Sequence, residues 1–383
     1  MFKEKIRIVE FEDVWTPGGV ENYILQILKK IDEKKFSSIF WVTQKESEIY
    51  DSEIYELDLE VIPAMKHVYE NQIIRVISSL GYFKAIITGI NCDVFHLHAS
   101  NGVMLIYAYL AKKAGVEKVV VSSHSSNMGS GKRLIKRIGH EVSKRVFKNY
   151  ADVKMACSIE AANWLFTPKE VKKGNVIKFN YMIDIEKFKF NELKRREYRE
   201  KYRINDEFIF LNVGRFHFQK NQIFLVELFE KICKKINAKL LFVGEGKLEP
   251  EIRNKVKELE IDDYVLFLGT SRNVENYMWM ADAFILPSLY EGNPITVTEA
   301  QASGLPCYIS NKITKAAKIL ETTEYVDISN MSECENRIIS AIREHKEDFK
   351  YRIECNELVR KSGYDVSKQI SLLERIYAKK NKR

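Results

Sequence analysis

The chain has 383 residues, 45% of them hydrophobic, which is enough for two domains that each bury their own core. Cys92, Cys157, Cys233, Cys307, Cys334 and Cys355 are scattered without a C-x-x-C pair, which excludes a disulfide frame or a zinc ribbon and predicts reduced thiols. A formal net charge of +8 admits nucleotides, nucleic acid or anionic lipid as partners and selects none of them.

The start, MFKEKIRIVEFEDVW, interleaves charges with apolar residues and lacks the apolar run of a signal peptide. No later run is expected to reach the roughly eighteen apolar residues of a membrane span. A cytoplasmic protein is therefore expected. The β-rich runs 6–11, 38–43, 93–98, 118–124, 152–157 and 175–180 alternate with helical spacing, and they are apolar almost throughout. Such strands belong to a parallel sheet covered on both faces. Residues 184–206, DIEKFKFNELKRREYREKYRIND, are highly charged with no strand signal and are read as a linker. The alternation then resumes at 208–214, 239–244, 265–269, 283–288 and 307–310. The expected fold class is α/β: two Rossmann-like domains, 1–183 and 207–363, facing a central cleft. Ligands in such sheets bind beyond the carboxyl ends of the strands.

Several constellations fall at those ends. In 16-TPGGVENY-23, Gly18 and Gly19 suit either a phosphate approaching the backbone or a plain tight turn. In 213-VGRFHFQKN-221, Arg215 and Lys220 follow Gly214 across a turn and suit a diphosphate, one as a planar fork and the other as a point charge. Gly244, in 243-VGEGKLE-249, serves a nucleotide base or simply the turn. His96 and His98 share one face of DVFHLH; His98, read as the last residue of its strand, is the candidate site residue and His96 the structural one. A metal held by His96, His98 and His124 finds no supporting carboxylate or thiol pattern nearby.

The stretch 289-LYEGNPITVTEAQASGLP-306 follows a predicted strand, with Glu291 in the exit loop and Pro294 expected in the first turn of a helix that carries Glu299. About 12 Å of helix separates the carboxylates, too far for one small group. They suit the two ends of an elongated polyhydroxylated ligand, with the free amides between them favouring anionic charge.

These residues together resemble glycosyltransferase family 4, retaining enzymes of GT-B architecture. The likeness runs through GGVENY, DVFHLH, SSHSS, NYMIDIEKF, VGRFHFQKN, LLFVGEGKLEPEI, ADAFILPSLYEGNPITVTEAQASGLP and YDVSKQISLLERIY. It is similar above all to transferases of bacterial capsule and exopolysaccharide assembly. The resemblance implies an acceptor-binding first domain, a nucleotide-sugar-binding second domain and a last helix, 364–383, crossing back to the first. It implies that Glu291 holds the transferred sugar and Glu299 the ribose diol. Arg215 and Lys220 would stabilise the leaving diphosphate, His98 would contact the sugar, and the backbone at Gly18, Gly19, Gly214, Gly244 and from Gly292 through Asn293 and Pro294 to Ile295 would line the donor. UDP is the nucleotide it implies, with GDP open, and a glycan or lipid-linked saccharide is the acceptor. Asn293 departs from the pattern, which often has an apolar residue there, and Asn180-Tyr181-Met182-Ile183-Asp184 stands for the usual Asn-Gly-Ile-Asp.

No D-x-D triplet lies at a strand end, so a metal-independent transferase with no cofactor is expected. A nucleotide-sugar 2-epimerase and a non-catalytic nucleotide-sugar binder remain alternatives. The missing G-x-G-x-x-G disfavours a nicotinamide enzyme, and the lack of an aromatic-studded basic face disfavours a nucleic-acid partner. Within 131–149, Lys132, Arg133, Lys136, Arg137, Lys144, Arg145 and Lys148 oppose Glu141 alone, while Leu134, Ile138, Val142 and Val146 recur every fourth residue. This segment is either an ordinary domain helix or a surface that rests on anionic membrane at its inner face.

Overall fold

The computed structural model describes residues 5–16, 18–48, 50–59, 61–63, 65, 67–69, 71–126, 133–344 and 348–379. The chain forms two units, one of residues 1–182 with 366–383 and the other of residues 183–365.

In the first unit the apolar runs become β1 (Ile6–Trp15), β2 (Phe36–Lys45), β3 (Val61–Pro63), β4 (Val94–Ala99), β5 (Lys118–Ser123), β6 (Val153–Ala156) and β7 (Val176–Lys178). They pair in the order β3-β2-β1-β4-β5-β6-β7, all parallel. β4 and β5 are buried at every position, as strands covered on both faces must be. β3 escapes the sequence pattern because it is a three-residue edge strand ending in proline. One helix, Gln72–Ile90, is long and apolar enough to cross a membrane, contrary to the expectation that no run is. It is nonetheless tied into the unit: Val76, Phe83 and Ile87 join the core, and the Arg75 guanidinium forks onto Asp13 at 2.6 and 2.9 Å.

In the second unit β8 (Phe208–Val213), β9 (Ala238–Val243), β10 (Val265–Phe267), β11 (Ala283–Leu286), β12 (Cys307–Ser310) and β13 (Thr323–Val326) form a parallel sheet of order β10-β9-β8-β11-β12-β13. The charged segment read as a linker, 184–206, lies inside this unit, and Glu192–Lys201 is a helix. Its charge pattern hides the buried Arg195, which donates to the carbonyls of Trp279, Met280 and Ala281 at 3.2, 2.6 and 3.0 Å and to Asp282 at 2.6 Å. The cation thus closes the carboxyl end of the helix Val274–Met280, where orphan carbonyls and the helix dipole both favour it. Stretches rich in lysine and arginine read as solvated until one member finds such a partner.

From Val366 the chain returns to the first unit as the helix Val366–Ala378. Lys118, at the start of β5, donates to the carbonyls of Ile376 and Tyr377, both at 2.8 Å, and so clamps the helix end.

Candidate active site

In the second unit, the exits of β8 and β11 are stitched together. After β8 come Gly214, Arg215 and the turn Phe218–Lys220, and then Asn221, whose left-handed backbone (φ 56°) starts the helix Gln222–Cys233. Gly214 has φ +157°, and a Cβ there would stand 3.3 Å from Lys220 Cε, so the lysine stem lies across the glycine. Gly244 has φ +143°, and its Cβ would collide with the Gly214 carbonyl at 2.2 Å. The missing side chain therefore lets the β8 and β9 exits touch, which is the turn reading of that glycine.

Lys220 Nζ donates to Glu291 Oε1 at 2.7 Å. Gln219 Nε2 donates both to Glu291 Oε2 at 3.1 Å and to the Tyr290 carbonyl at 2.9 Å. Leu289 N donates to the Gln219 carbonyl at 2.8 Å, and a bridge to Ile313 pins the Glu291 backbone. The Arg215 side chain is exposed and has no hydrogen bond or ion pair among the described residues, while its carbonyl accepts from Gln222 Nε2 at 3.1 Å.

Glu299 sits in the helix Ile295–Ala302, 6% exposed, and its carboxyl group has no hydrogen bond or ion pair among the described residues. Burial pushes its carboxyl up to about 7; Lys187 opposes the shift and Glu275 adds to it. Asn293 is 5% exposed, and neither its Nδ2 nor its Oδ1 has a partner among the described residues.

In the first unit, Gly18 is extended (φ −173°), so its conformation needs no glycine. What needs it is Glu21, whose Oε2 would lie 2.5 Å from a Cβ and whose Oε1 accepts from Thr16 N at 3.3 Å. A carboxylate already faces the turn before the helix that opens at Gly19. The expected separation of His98 from His96 does not hold, because both are fully enclosed in one network and His98 is the next-to-last residue of β4. His98 Nε2 lies 2.8 Å from Glu10 Oε2, and His98 Nδ1 lies 3.0 Å from His124 Nε2, whose own Nδ1 is 2.8 Å from Tyr181 Oη. His96 joins Ser122 at 2.7 Å and Tyr377 at 2.6 Å, and Tyr377 donates to Glu10 Oε1 at 2.9 Å.

Burial alone would raise the Glu10 carboxyl, but His96 and His98 outweigh it and hold it well below the usual carboxylate range. Burial, with His96 beside it, pushes His98 down to about 4, and burial with His98 pushes His124 well below its ordinary value. The bonds then have one direction: Tyr181 O–H to His124 Nδ1, His124 Nε2–H to His98 Nδ1, His98 Nε2–H to Glu10. Glu10, His96 and His98 also stand close enough to hold a metal ion. His98 and Tyr377 donate to the two oxygens of the Glu10 carboxylate, so, contrary to the expectation that no carboxylate lies near the histidines, one stands at the centre of their network.

Two family models match the chain: "Glycosyltransferase Family 4" over residues 17–177 and "Glycosyl transferases group 1" over residues 194–357. The chain belongs to glycosyltransferase family 4. It is 29% identical over 373 residues, 94% of its length, to a putative glycosyltransferase EpsF of Bacillus subtilis, of which it covers 93%. It is 27% identical over 226 residues to a UDP-Gal:alpha-D-GlcNAc-diphosphoundecaprenol alpha-1,3-galactosyltransferase of Escherichia coli, covering 57% of this chain and 58% of that one. Its fold is similar to that of Anabaena Alr3699/HepE, a crystal structure in complex with UDP-glucose, with TM-score 0.77, 15% identity, and 98% and 100% of the two chains covered. The two-unit fold is thus that of the GT-B glycosyltransferases.

In this family 4 chain, Pro294 is the residue that precedes the helix rather than part of its first turn, because the helix begins at Ile295. Proline has no N–H, so only the amides of Gly292, Asn293 and Ile295 remain available in that stretch. Two participants escape a sequence reading. Gln219 lies inside the quoted VGRFHFQKN and has no distinctive spacing of its own, while Glu10 is 86 residues before His96, in a strand whose alternation marks it only as a non-apolar residue. Arg7, Glu12 and Asp13 share that strand, so nothing in the sequence sets Glu10 apart from them.

Proposed function

We propose that this family 4 chain is a retaining hexosyltransferase moving a sugar from a UDP-sugar to a saccharide or lipid-linked saccharide in bacterial surface polysaccharide assembly. The observation that carries this reading is Glu299, an almost enclosed carboxyl with no protein partner among the described residues. A carboxylate in such a site calls for hydroxyl donors, and a ribose diol supplies two. Arg215 and Lys220 answer the diphosphate, and these cations take the leaving-group charge without a metal. The acceptor hydroxyl attacks on the face the diphosphate leaves, so neither Glu291 nor Glu299 acts as nucleophile. The names of the Escherichia coli relative and of the Anabaena complex support a UDP-sugar donor and a lipid-linked acceptor.

A thermal-shift panel of UDP-, GDP- and ADP-sugars tests the donor, since a ligand that binds only the folded state raises the melting temperature. Donor turnover to a transferred product, rather than an isomer formed without acceptor, separates the transferase from an epimerase. Glu299→Ala raises donor KM roughly 10–100-fold, the worth of hydrogen bonds to a charged group. Because Glu299 ionises near pH 7, wild-type donor affinity falls as the pH drops from 8 to 6, and Glu299→Gln flattens that dependence. Unchanged KM in the alanine variant removes Glu299 from the ribose subsite.

We also assign the chain to the inner membrane face. The helix Arg133–Phe147 is turned inside out: Leu134, Ile138, Val142 and Val146 are 53–73% exposed, whereas His140 and Lys144 point inward. Lys144 Nζ donates to the Asn163 and Trp164 carbonyls at 3.0 and 2.7 Å, and Gly102 N donates to His140 Nδ1 at 2.8 Å. Arg137 and Arg145 lie exposed beside the stripe, and Lys132 lies outside the described residues. The helix Gln72–Ile90, which with Arg133–Phe147 flanks the helix Leu105–Lys113, adds exposed Ile74, Ile77 and Tyr82. An outward apolar stripe with basic flanks suits anionic lipid. Flotation with anionic vesicles is expected to carry the protein upward and neutral vesicles to carry less. Ile138→Asp with Val142→Asp abolishes the difference, and equal flotation of that variant overturns the assignment.

A further inference from the structure

Asn293 lies in the loop between β11 and the helix Ile295–Ala302, just past Glu291, and its side chain is almost wholly enclosed. Among the described residues, no other side chain buries two polar atoms without a partner. The amide leaves both its N–H donors and its carbonyl acceptor unmatched, which weakens the fold and calls for a reason. The helix that follows shows how this chain treats a buried amide kept for structure. Gln301, equally enclosed, donates to the carbonyls of Val297 and Ala317 at 3.1 and 2.9 Å and accepts from Ile319 N and Leu320 N at 2.9 and 2.8 Å. Turning Gln301 would break all of these bonds. Turning Asn293 about its side-chain bonds breaks none, so its amide can swing to meet a ligand.

We infer, on the donor reading given above, that the Asn293 side chain is a specificity residue that holds two neighbouring hydroxyls of the transferred sugar. Its place in the loop selects the sugar end of the donor: Glu291, assigned to the sugar, stands just before it, whereas Glu299, assigned to the ribose, lies further along the helix. Its chemistry disfavours the diphosphate, which only accepts hydrogen bonds and would set its charge against Oδ1. A primary amide presents a donor and an acceptor side by side. Hydroxyls on adjacent ring carbons match it, one donating to Oδ1 while its neighbour accepts from Nδ2. An acetamido group does not, because its N–H and C=O point in opposite directions. The donor is therefore a nucleotide hexose with two adjacent unsubstituted hydroxyls, and an apolar residue at this position makes neither bond.

The reading assigns a sign to each measurement. Asn293→Leu keeps a similar volume and removes the unmatched polar atoms, so the melting temperature stays or rises. An asparagine kept for the fold would give the opposite sign. Affinity for UDP alone, which lacks the sugar, stays within about twofold, while affinity for the UDP-hexose falls about 10–100-fold, the range for two lost hydrogen bonds in an enclosed site.

The experiment is calorimetric titration of the wild type and Asn293→Leu with UDP, UDP-glucose and UDP-galactose, and with analogues of the tighter hexose that each lack one ring hydroxyl, alongside melting curves. GDP and GDP-mannose are titrated in parallel, and Asn293→Ala is carried through the same series so that the comparison stands if leucine misfits the loop. Losses at two adjacent ring positions in the wild type, about 10-fold each, that shrink below about threefold in the folded variant uphold the inference. Equal losses in the two proteins, or a lowered melting temperature with unchanged hexose affinity, overturn it and leave the transferase reading intact. A loss at one position alone overturns the assignment of a diol. If the wild type binds neither nucleotide and none of their sugars, the donor reading fails and the inference falls with it.

Discussion

Replacing Lys220 by alanine is expected to lower kcat about 10²–10³-fold while donor KM changes less than about fivefold. The unequal effect follows from the ion pair. In the unliganded chain the ammonium is 2.7 Å from Glu291 Oε1, so what Lys220 gains from a bound donor is offset by what it gives up. Only as the glycosidic C–O bond breaks does charge accumulate on the diphosphate beyond its ground-state value, and the cation then contributes without an offsetting loss. On the proposed donor reading, the Arg215 side chain, exposed and with no ion pair among the described residues, is expected to keep the ground-state docking of the diphosphate. Steady-state kinetics with varied donor at saturating acceptor separate the two parameters. A raised KM with unchanged kcat would place Lys220 in uniform substrate binding and end its role in leaving-group stabilisation.

Glu10→Ala is expected to destabilise the first unit by about 3–5 kcal/mol, because it leaves buried donors facing no anion. For a unit of this size that corresponds to a fall of roughly 6–20 °C in melting temperature. Three hydrogen-bonding partners converge on the carboxylate: His98 at 2.8 Å and Tyr377 at 2.9 Å donate to it, and His96 lies 3.0 Å away. Tyr377 is on the returning helix Val366–Ala378, so the loss also loosens that helix. The same network makes the unit acid-labile. His98 and His124 titrate lower in the folded chain than in the unfolded one, so the unfolded chain binds more protons once the pH drops below the ordinary imidazole value. Stability therefore falls from about pH 6.5 downward, through about 4 for His98. Glu10, titrating lower still when folded, adds a further loss only below the ordinary carboxylate range. Melting curves at pH 7.5, 6 and 5 check this, with His98→Asn and His124→Asn expected to flatten the slope. A pH-independent melting temperature in the wild type would show that the imidazoles are not held neutral by folding.

The alternation of apolar runs and helical spacing made the parallel sheets legible, because strands covered on both faces must be apolar at nearly every position. The short edge strand β3 and the strand β13, Thr323–Val326, carry too few such positions to stand out. The carboxylates Glu291 and Glu299 were legible for a local reason: glycine, proline and an apolar helix surround them within a few residues. Their surroundings were not, since Gln219 comes to Glu291 from 72 residues away. The basic segment before Phe147 was legible as amphipathic but not as inverted, because periodicity reports that a face exists and says nothing of what it faces.

The sequence by itself determined the α/β class, the family, and the loops in which the charged residues sit, because these depend on spacing along the chain. Only the tertiary structure decided that Lys220 starts out bound to Glu291, that His98 is an enclosed link between Glu10 and His124, and that Arg195 closes a helix instead of joining two domains. A charge acquires its partner, its desolvation and its protonation state from groups far off in the chain, and those are brought together only by folding.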